Sequence, residues 1–293
     1  MVAAGGKSGA IAVLLPDSRR LHLQHGPIDL VIEAVGSPAD VRQAYQQARA
    51  AFDPLLADLV LELPRLRSAS GAEPHGVVAS RMAAAVAPYA PEFITPMAAV
   101  AGSVADRILA AMRFGTRLER AYVNNGGDIA IHLSEGSFRI RICDNPETGE
   151  AGGTVEIRPE DGIGGIATSG WRGRSHSLGI ADAVTVLAKS AAEADAAATM
   201  IANKVDLPLS AKVTRVPARD LSHDSDLGDR LVTTGVAPLD RDEVEEALSS
   251  GERAAYGYRQ RGLIRAAYLS LSGERRTVDA APNHNNPREI IHA

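Results

Sequence analysis

The sequence predicts an α+β fold, with mixed or antiparallel sheets and flanking helices, on three observations. Apolar residues recur at helical spacing through Met97, Val100, Ala101, Val104, Ile108, Leu109 and Met112, and from Arg120 the period changes to two. The strand-like runs then follow one another across short turns instead of alternating one for one with helices, as a βαβ series would. Aromatic residues make up only 4% of the chain and alanine is plentiful, so small side chains favour close helix–sheet approach over large aromatic clusters.

Residues 11–15 and 20–23 read as short strands separated by a Pro-Asp-Ser turn, followed by the apolar run 31–35. Ser37-Pro38-Ala39-Asp40 starts a helix, with a serine cap, proline at the first helical position and an acid three residues after the cap. It should run to about Phe52, and a further helical segment continues to Leu63 after the Asp53-Pro54 interruption. Thr95-Pro96 repeats the start signal and Gly115 is a stop; Gly102 inside that helix costs about 1 kcal/mol relative to alanine. Tyr122-Val123, 129–133 and 138–142 read as strands, the last two as an antiparallel hairpin across Ser134-Glu135-Gly136. Strands are expected at 154–158, 163–168 and 183–188. Ser190-Ala191-Ala192-Glu193 is a capping box that opens a helix reaching Asn203. A strand near Val213, a short helix over 242–248 and a strand over 266–271 complete the pattern. The expected organisation is one domain over residues 1–275, with room for two intimate lobes, and a polar tail over 276–293.

An apolar fraction of 45% with 23% charged residues is ordinary for a soluble globular chain of 293 residues. A formal charge of −5 without a basic stripe argues against nucleic acid as a partner; Arg172 and Arg174 suffice for one phosphate. Cys143 is the only cysteine, which excludes an intramolecular disulfide and a cysteine-rich metal site. No stretch approaches the roughly 20 apolar residues a membrane span needs. The run 10–15 is too short for a signal-peptide core. The expectation is a cytoplasmic protein whose alanine-rich surface permits a homo-oligomer.

Four segments carry candidate chemistry. In Asn125-Gly126-Gly127-Asp128 paired glycines let backbone N–H groups approach a ligand, although a tight Asx-capped turn explains the segment equally well. The glycine-rich run 162–170, ending Ala167-Thr168-Ser169-Gly170, does not open a helix as a dinucleotide fingerprint must, and no Gly-Lys-Ser/Thr follows. Asp195 and Thr199 lie i, i+4 on the capped helix, where a carboxylate and a hydroxyl on one face can share a hard cation such as Mg²⁺ or simply form a polar stripe. His176, in a serine-rich loop, suits proton transfer near neutral pH or is merely solvated. His25 and Asp29 offer a further pair, with a Gly-Pro turn entering a strand as the plain alternative.

In this order, Asn-Asn-Gly-Gly-Asp over 124–128, Ala-Thr-Ser-Gly over 167–170 and Ala-Asp-Ala-Ala-Ala-Thr over 194–199 resemble the ApbE family of FAD:protein FMN transferases. His25-Gly26-Pro27-Ile28-Asp29-Leu30, Ala101-Gly102-Ser103-Val104-Ala105-Asp106, and Leu227-Gly228 with Leu231-Val232-Thr233 are similar to its UPF0280 branch, so the resemblance runs from about His25 to Leu271. It implies an ApbE-like fold. It also implies a flavin-nucleotide site at Asn125, Gly126, Gly127, Asp128, Thr168, Ser169, Gly170 and Gly102, and Mg²⁺ on Asp195 and Thr199, completed by a main-chain carbonyl near the start of the 95–106 helix. His176, or in part Asp182, would take the place of the family's histidine segment, with FAD as the implied cofactor or substrate.

Two departures qualify what it implies. Ala101 stands where the family carries lysine, which removes a charged hydrogen bond worth about 1.5–3 kcal/mol. The Asp-Pro-x-Thr-Gly part of the histidine segment is missing. The expectation is therefore an enzyme of unassigned substrate with a small-anion or nucleotide cleft on this scaffold. The alternatives are a Mg²⁺-dependent FAD pyrophosphatase or FMN transferase, and a non-catalytic flavin-binding protein.

Overall fold

The computed structural model describes residues 9–145 and 148–279. Its frame is a nine-stranded sheet in which every neighbouring pair is antiparallel. The strands are β1 (Ile11–Leu14), β2 (Leu21–His25), β3 (Ile28–Gly36), β4 (Leu118–Asn125), β5 (Asp128–Leu133), β6 (Phe138–Asn145), β7 (Glu150–Ile157), β8 (Gly165–Ser169), β9 (Ala183–Ala188), β10 (Val213–Pro217), β11 (Leu231–Val236), β12 (Ala266–Leu271) and β13 (Glu274–Val278). The large sheet runs β1-β2-β3-β4-β5-β8-β9-β12-β13, while β6–β7 and β10–β11 form separate two-stranded sheets. The helices are α1 (Pro38–Phe52), α2 (Leu55–Leu61), α3 (Leu63–Leu66), α4 (Val77–Val86), α5 (Val100–Arg113), α6 (Ala191–Lys204), α7 (Ala218–Leu221) and α8 (Arg241–Gln260). No helix among the described residues is long and apolar enough to cross a membrane.

Alternation along the strands sorts the sheet into two faces. On one face Leu30, Ile32, Ala121, Val123 and Ala130 pack under α1, α4 and α5, and Val184, Val186, Ala267 and Leu269 pack under α6 and α8. Helix α6 is buried nearly all round through alanines 191, 192, 194, 196, 197, 198 and 202. Small side chains let it sink between the sheet, α5 and α8, as the composition anticipates.

The opposite face carries a second, smaller core. Ile131, Ile166 and Leu187 lie there with Ile157, and Phe138, Ile140 and Val155 pack against them. The β6–β7 hairpin supplies this cover, which corrects the expected pairing of 129–133 with 138–142. Strand β5 pairs instead with β4 and β8, and β6 pairs with β7. Ser134 ends β5 by donating its N–H to Glu119 O at 2.9 Å, so the chain leaves the sheet and returns over its apolar face. The hairpin is latched at its far end. Asp144 is buried, accepts from Tyr268 Oη at 2.5 Å and from Arg275 Nε at 2.8 Å, and so ties β6 to β12 and β13. Replacing Asp144 by alanine is expected to cost about 2 kcal/mol, as loss of a charged hydrogen-bonded group does. Hydrogen exchange should accelerate in β6–β7 well before it does in β8 and β9.

The Ser37 cap forms as expected, its Oγ accepting from Asp40 N–H at 3.2 Å. At Ser190 only half the box closes. Its Oγ accepts from Glu193 N–H at 3.2 Å, while Glu193 Oε2 is buried without a hydrogen-bond partner. Thr95 does not cap: its hydroxyl donates to Asp226, and a 3₁₀ turn over Pro96–Ala99 precedes α5. Helix α8 runs to Gln260, well past the expected end at 248, because Gly251 is a packing residue and no stop. A Cβ there would lie 2.3 Å from Val205 Cγ2 and 2.9 Å from Leu269 Cδ2. Helix α4 and strands β11 and β13 were not anticipated. The N-cap of α4 is Gly76, without a side-chain cap, and β13 is a charged edge strand (Glu274, Arg275, Arg276) that lacks an alternating apolar signal. Strand β13 ends at Val278, three residues beyond the expected domain limit; most of the expected tail, from residue 280, lies outside the described residues.

Candidate functional site

The β4–β5 hairpin turns on Gly126 and Gly127, with φ of 64° and 113°, so a two-residue turn with two positive φ values joins Asn125 to its partner Asp128. Asn124 Oδ1 accepts from Gly127 N–H at 2.8 Å, so the asparagine caps the turn three residues on. A Cβ on Gly127 would meet nothing within 4 Å, so the turn is open to an approaching group. Beside Gly126 lies the Arg174 guanidinium, 1.8 Å from where a Cβ would stand. Arg174 thus lies against this turn, and its charge opposes the burial that raises Asp128.

Asn125 and Asp128 face the helices. Asn125 Nδ2 donates to Ala101 O at 3.1 Å, and Asp128 Oδ1 accepts from Thr168 N–H at 3.3 Å. Asp195 reaches the same place from α6. Its Oδ2 accepts from Gly102 N–H at 3.0 Å, and Ala101 N–H also aims at its carboxylate. Asp195 therefore caps the start of α5, where unpaired N–H groups favour a negative charge. Asp106 does the converse, its two oxygens accepting from Ala191 and Ala192 N–H at 3.1 Å each, at the start of α6. Each helix start is held by a carboxylate of the other helix.

Burial pushes the Asp195 carboxyl well above the usual carboxylate range, and the facing Asp128 adds to the shift. Burial likewise pushes Asp128 up to about 7, against the Thr168 N–H and Arg174, which favour the charged form. Two acids raised on folding bind more protons in the native than in the unfolded chain, between ordinary carboxylate values near 4 and their folded values. Their contribution to stability is fully retained below that window and declines as pH rises through it. In metal-free buffer the difference in stability between wild type and Asp195→Asn should therefore shift in favour of the variant from pH 4 to pH 7, as read by urea denaturation at each pH.

The remaining sequence candidates fall in different surroundings. Gly102 belongs to packing as well as to the site, since a Cβ on it would lie 2.2 Å from Ala191 O. Thr168 alternates with Ile166 onto the opposite face of the sheet, where its hydroxyl pairs with Thr185 Oγ1 at 2.8 Å; only its N–H joins the cleft. Ser169 alternates with Ala167 towards the helices and is half-buried. Gly170 is a close backbone crossing, its Cβ position 2.5 Å from Asp182 O. Thr199 is half-buried one turn after Asp195. Asp182 is buried and engaged through both oxygens, by Arg172 Nε at 2.6 Å and Ser272 N–H at 2.6 Å, so it anchors the loop after β8 to the β12–β13 turn. His176 is exposed on that loop. The neighbouring residues are fixed by Asn203, whose Oδ1 accepts from Leu178 N–H at 3.0 Å. His25 and Asp29 do not pair: Asp29 meets His22 Nε2 at 3.0 Å, and His25 packs edge-on against Phe52.

The donor set is oxygen throughout, from Asp195 and Thr199 with Asp128 opposite, which suits a hard cation such as Mg²⁺. Among the described residues no group of three or more His, Cys, Asp or Glu is placed to hold a metal, so hydroxyl, carbonyl or ligand oxygens would have to complete the set.

A family model described as AbpE bacteria matches residues 12–277. The chain belongs to that family. Among relatives of this AbpE protein, a UPF0280 protein of Methanothrix thermoacetophila is 40% identical over 121 residues, covering 41% of this chain and 49% of that one. A UPF0280 protein of Methanopyrus kandleri is 38% identical over 130 residues, covering 43% and 48%. The matched region thus spans about half the length of these relatives. The flavin transferase ApbE from Vibrio cholerae has 12% identity and a TM-score of 0.41 over 93% of this chain and 98% of that one. The ApbE protein from Thermotoga maritima has 16% identity and a TM-score of 0.38, over 85% and 77%.

Proposed function

We propose that the cleft between the β4–β5 turn and the starts of α5 and α6 is a divalent-cation-dependent site for an organic phosphate of nucleotide size, on a flavin-transferase scaffold. One observation carries this reading. A half-buried pair of facing carboxylates, Asp128 and Asp195, stands next to an arginine, Arg174, lying against an open Gly126-Gly127 turn. The acids would hold a cation with Thr199, and the arginine and turn would receive a phosphate that the cation also touches. Such a cation, when bound, neutralises charge on a phosphoryl oxygen during cleavage or transfer. The residues of the chain hold, orient and shield: Asn125 fixes Ala101, Asp106 fixes α6, and Asn203 fixes the loop that bears Arg174 and His176. His176 is the candidate for moving a proton at the leaving or attacking oxygen. Asp182, engaged through both oxygens, positions the loop and takes no part in proton transfer.

Flavin adenine dinucleotide is the first substrate to test, because of the family. The protein should bind it in calorimetry only with Mg²⁺ present, and chromatography of the mixture should show AMP and a flavin mononucleotide, free or protein-linked. A second reading rests on Ala101, a neutral residue in the segment where the resembling family carries lysine: the same cleft serves a smaller anionic metabolite. Mg²⁺ binding without FAD binding would select it. Absence of any Mg²⁺ binding would overturn both.

A further inference from the structure

We propose a second ligand site, on the opposite face of the sheet, for a small planar organic anion. A groove of about 270 Å³ lies where the outer faces of β3 and β4 meet the base of the β6–β7 hairpin. Its lining includes Arg19, Arg120 and Arg139 against one carboxylate, Glu33, with Tyr122 and Phe138 as its apolar part. The strands dictate this grouping. Val35 pairs with Arg120 and Glu33 with Tyr122 across β3–β4, so these four side chains project to the face away from the helices. The hairpin then brings Phe138 to Tyr122, with ring centroids 6.3 Å apart and planes at 80°.

The charges in the groove are unevenly satisfied. Glu33 is taken by Arg19 at 2.5 Å. Arg139 stands across the hairpin from Glu156. Arg120 is half-buried on a central strand and has no side-chain hydrogen-bond or ion-pair partner among the described residues. A half-buried guanidinium with a free fork, beside aromatic side chains, matches a carboxylate or phosphate attached to a flat ring. The volume lies just below the range of drug-sized pockets, which limits the ligand to about one ring and its anionic group. This site lies on the other side of the sheet from Asp128 and Asp195, and nothing in the proposed phosphate chemistry uses it.

Phenyl phosphate is the probe, titrated into the full chain by calorimetry, with inorganic phosphate and phenol supplying its two halves. One-to-one binding with a dissociation constant below about 1 mM is expected, at least tenfold tighter than either half. Arg120→Gln should weaken it at least tenfold, Arg120→Lys less, and Phe138→Leu severalfold, whereas Asp195→Asn should leave it unchanged. Thermal unfolding confirms that each variant is folded, and Phe138→Leu carries the test if Arg120→Gln is not. Absence of saturable binding overturns the proposal. So does undiminished binding by folded Arg120→Gln, or equal binding of inorganic phosphate. Loss of binding in Asp195→Asn would assign the probe to the cleft and also overturn it.

Discussion

Gly165→Ala is expected to destabilise the protein by about 3 kcal/mol or more, at or above the top of the usual range for overpacked interiors. A Cβ at Gly165 would lie 2.0 Å from Ala191 N and 2.1 Å from Ser190 C. Gly102 arrives at the same point from α5, with its Cβ position 2.2 Å from Ala191 O, and a Cβ on Gly164 would lie 2.3 Å from Lys189 O. Three glycines thus let β8 and α5 touch the backbone at the start of α6. The obstructing atoms are main chain, so no rotamer change clears them. Relief requires α6 to move, which would also shift Asp195 and the Ala191 and Ala192 N–H groups held by Asp106. With typical domain stabilities of about 5–15 kcal/mol, such a loss leaves little margin. Gly257→Ala on α8 is the control: a Cβ there meets nothing within 4 Å, so it should stabilise by about 0.5–1 kcal/mol. Urea denaturation of the two variants measures both effects. A Gly165→Ala protein within 1 kcal/mol of wild type would show that α6 is free to shift, and would remove the argument that these glycines position the cleft.

Asp195→Asn should separate the two roles of that side chain. The amide oxygen can still accept from Gly102 N–H, so the start of α5 stays capped. The charge facing Asp128 disappears, and with it the desolvation cost of the Asp195 carboxylate and its repulsion by Asp128, while Asp128 keeps its own burial cost. In metal-free buffer at pH 7 the variant is therefore expected to be more stable than wild type by about 1 kcal/mol or more, since one pKa unit corresponds to about 1.4 kcal/mol. With Mg²⁺ the order should reverse. A ligand at a hundredfold excess over its dissociation constant adds about 2.7 kcal/mol to wild type, and the variant should gain little. Any turnover of FAD or another phosphate should fall at least a hundredfold. A variant less stable than wild type without metal would mean that Asp195 serves only as a helix cap, and the cation site would have to be abandoned.

How much of this was legible in the sequence depends on the range of the forces involved. Local signals held up. Ser37-Pro38 opened α1, the strand expected over 183–188 is β9, and the alanine-rich segment after Ser190 became a buried helix. Each is decided by neighbours within a few residues. The order of Asn-Gly-Gly-Asp, Ala-Thr-Ser-Gly and Ala-Asp-x-x-x-Thr sufficed for the family, which the match over residues 12–277 bears out.

Partnership across the chain was not legible. Strand 138–142 has the alternation of a hairpin partner for β5, yet it covers the sheet, because Ile131, Ile166 and Leu187 require an apolar lid. The helix expected over 242–248 runs on to Gln260 through Gly251, a contact point for Val205 and Leu269. Thr168 matches the family segment, but strand alternation turns its hydroxyl to Thr185. Asp195 reads as a cation ligand or part of a polar stripe and Asp106 as the end of a family segment; only the crossing of α5 and α6 makes each the cap of the other helix. Composition, periodicity and motif order by themselves determined the class, most of the elements and the family. The tertiary structure alone decided which carboxylates face each other and which glycines are contact points, because burial and charge proximity are set by residues far apart in the chain.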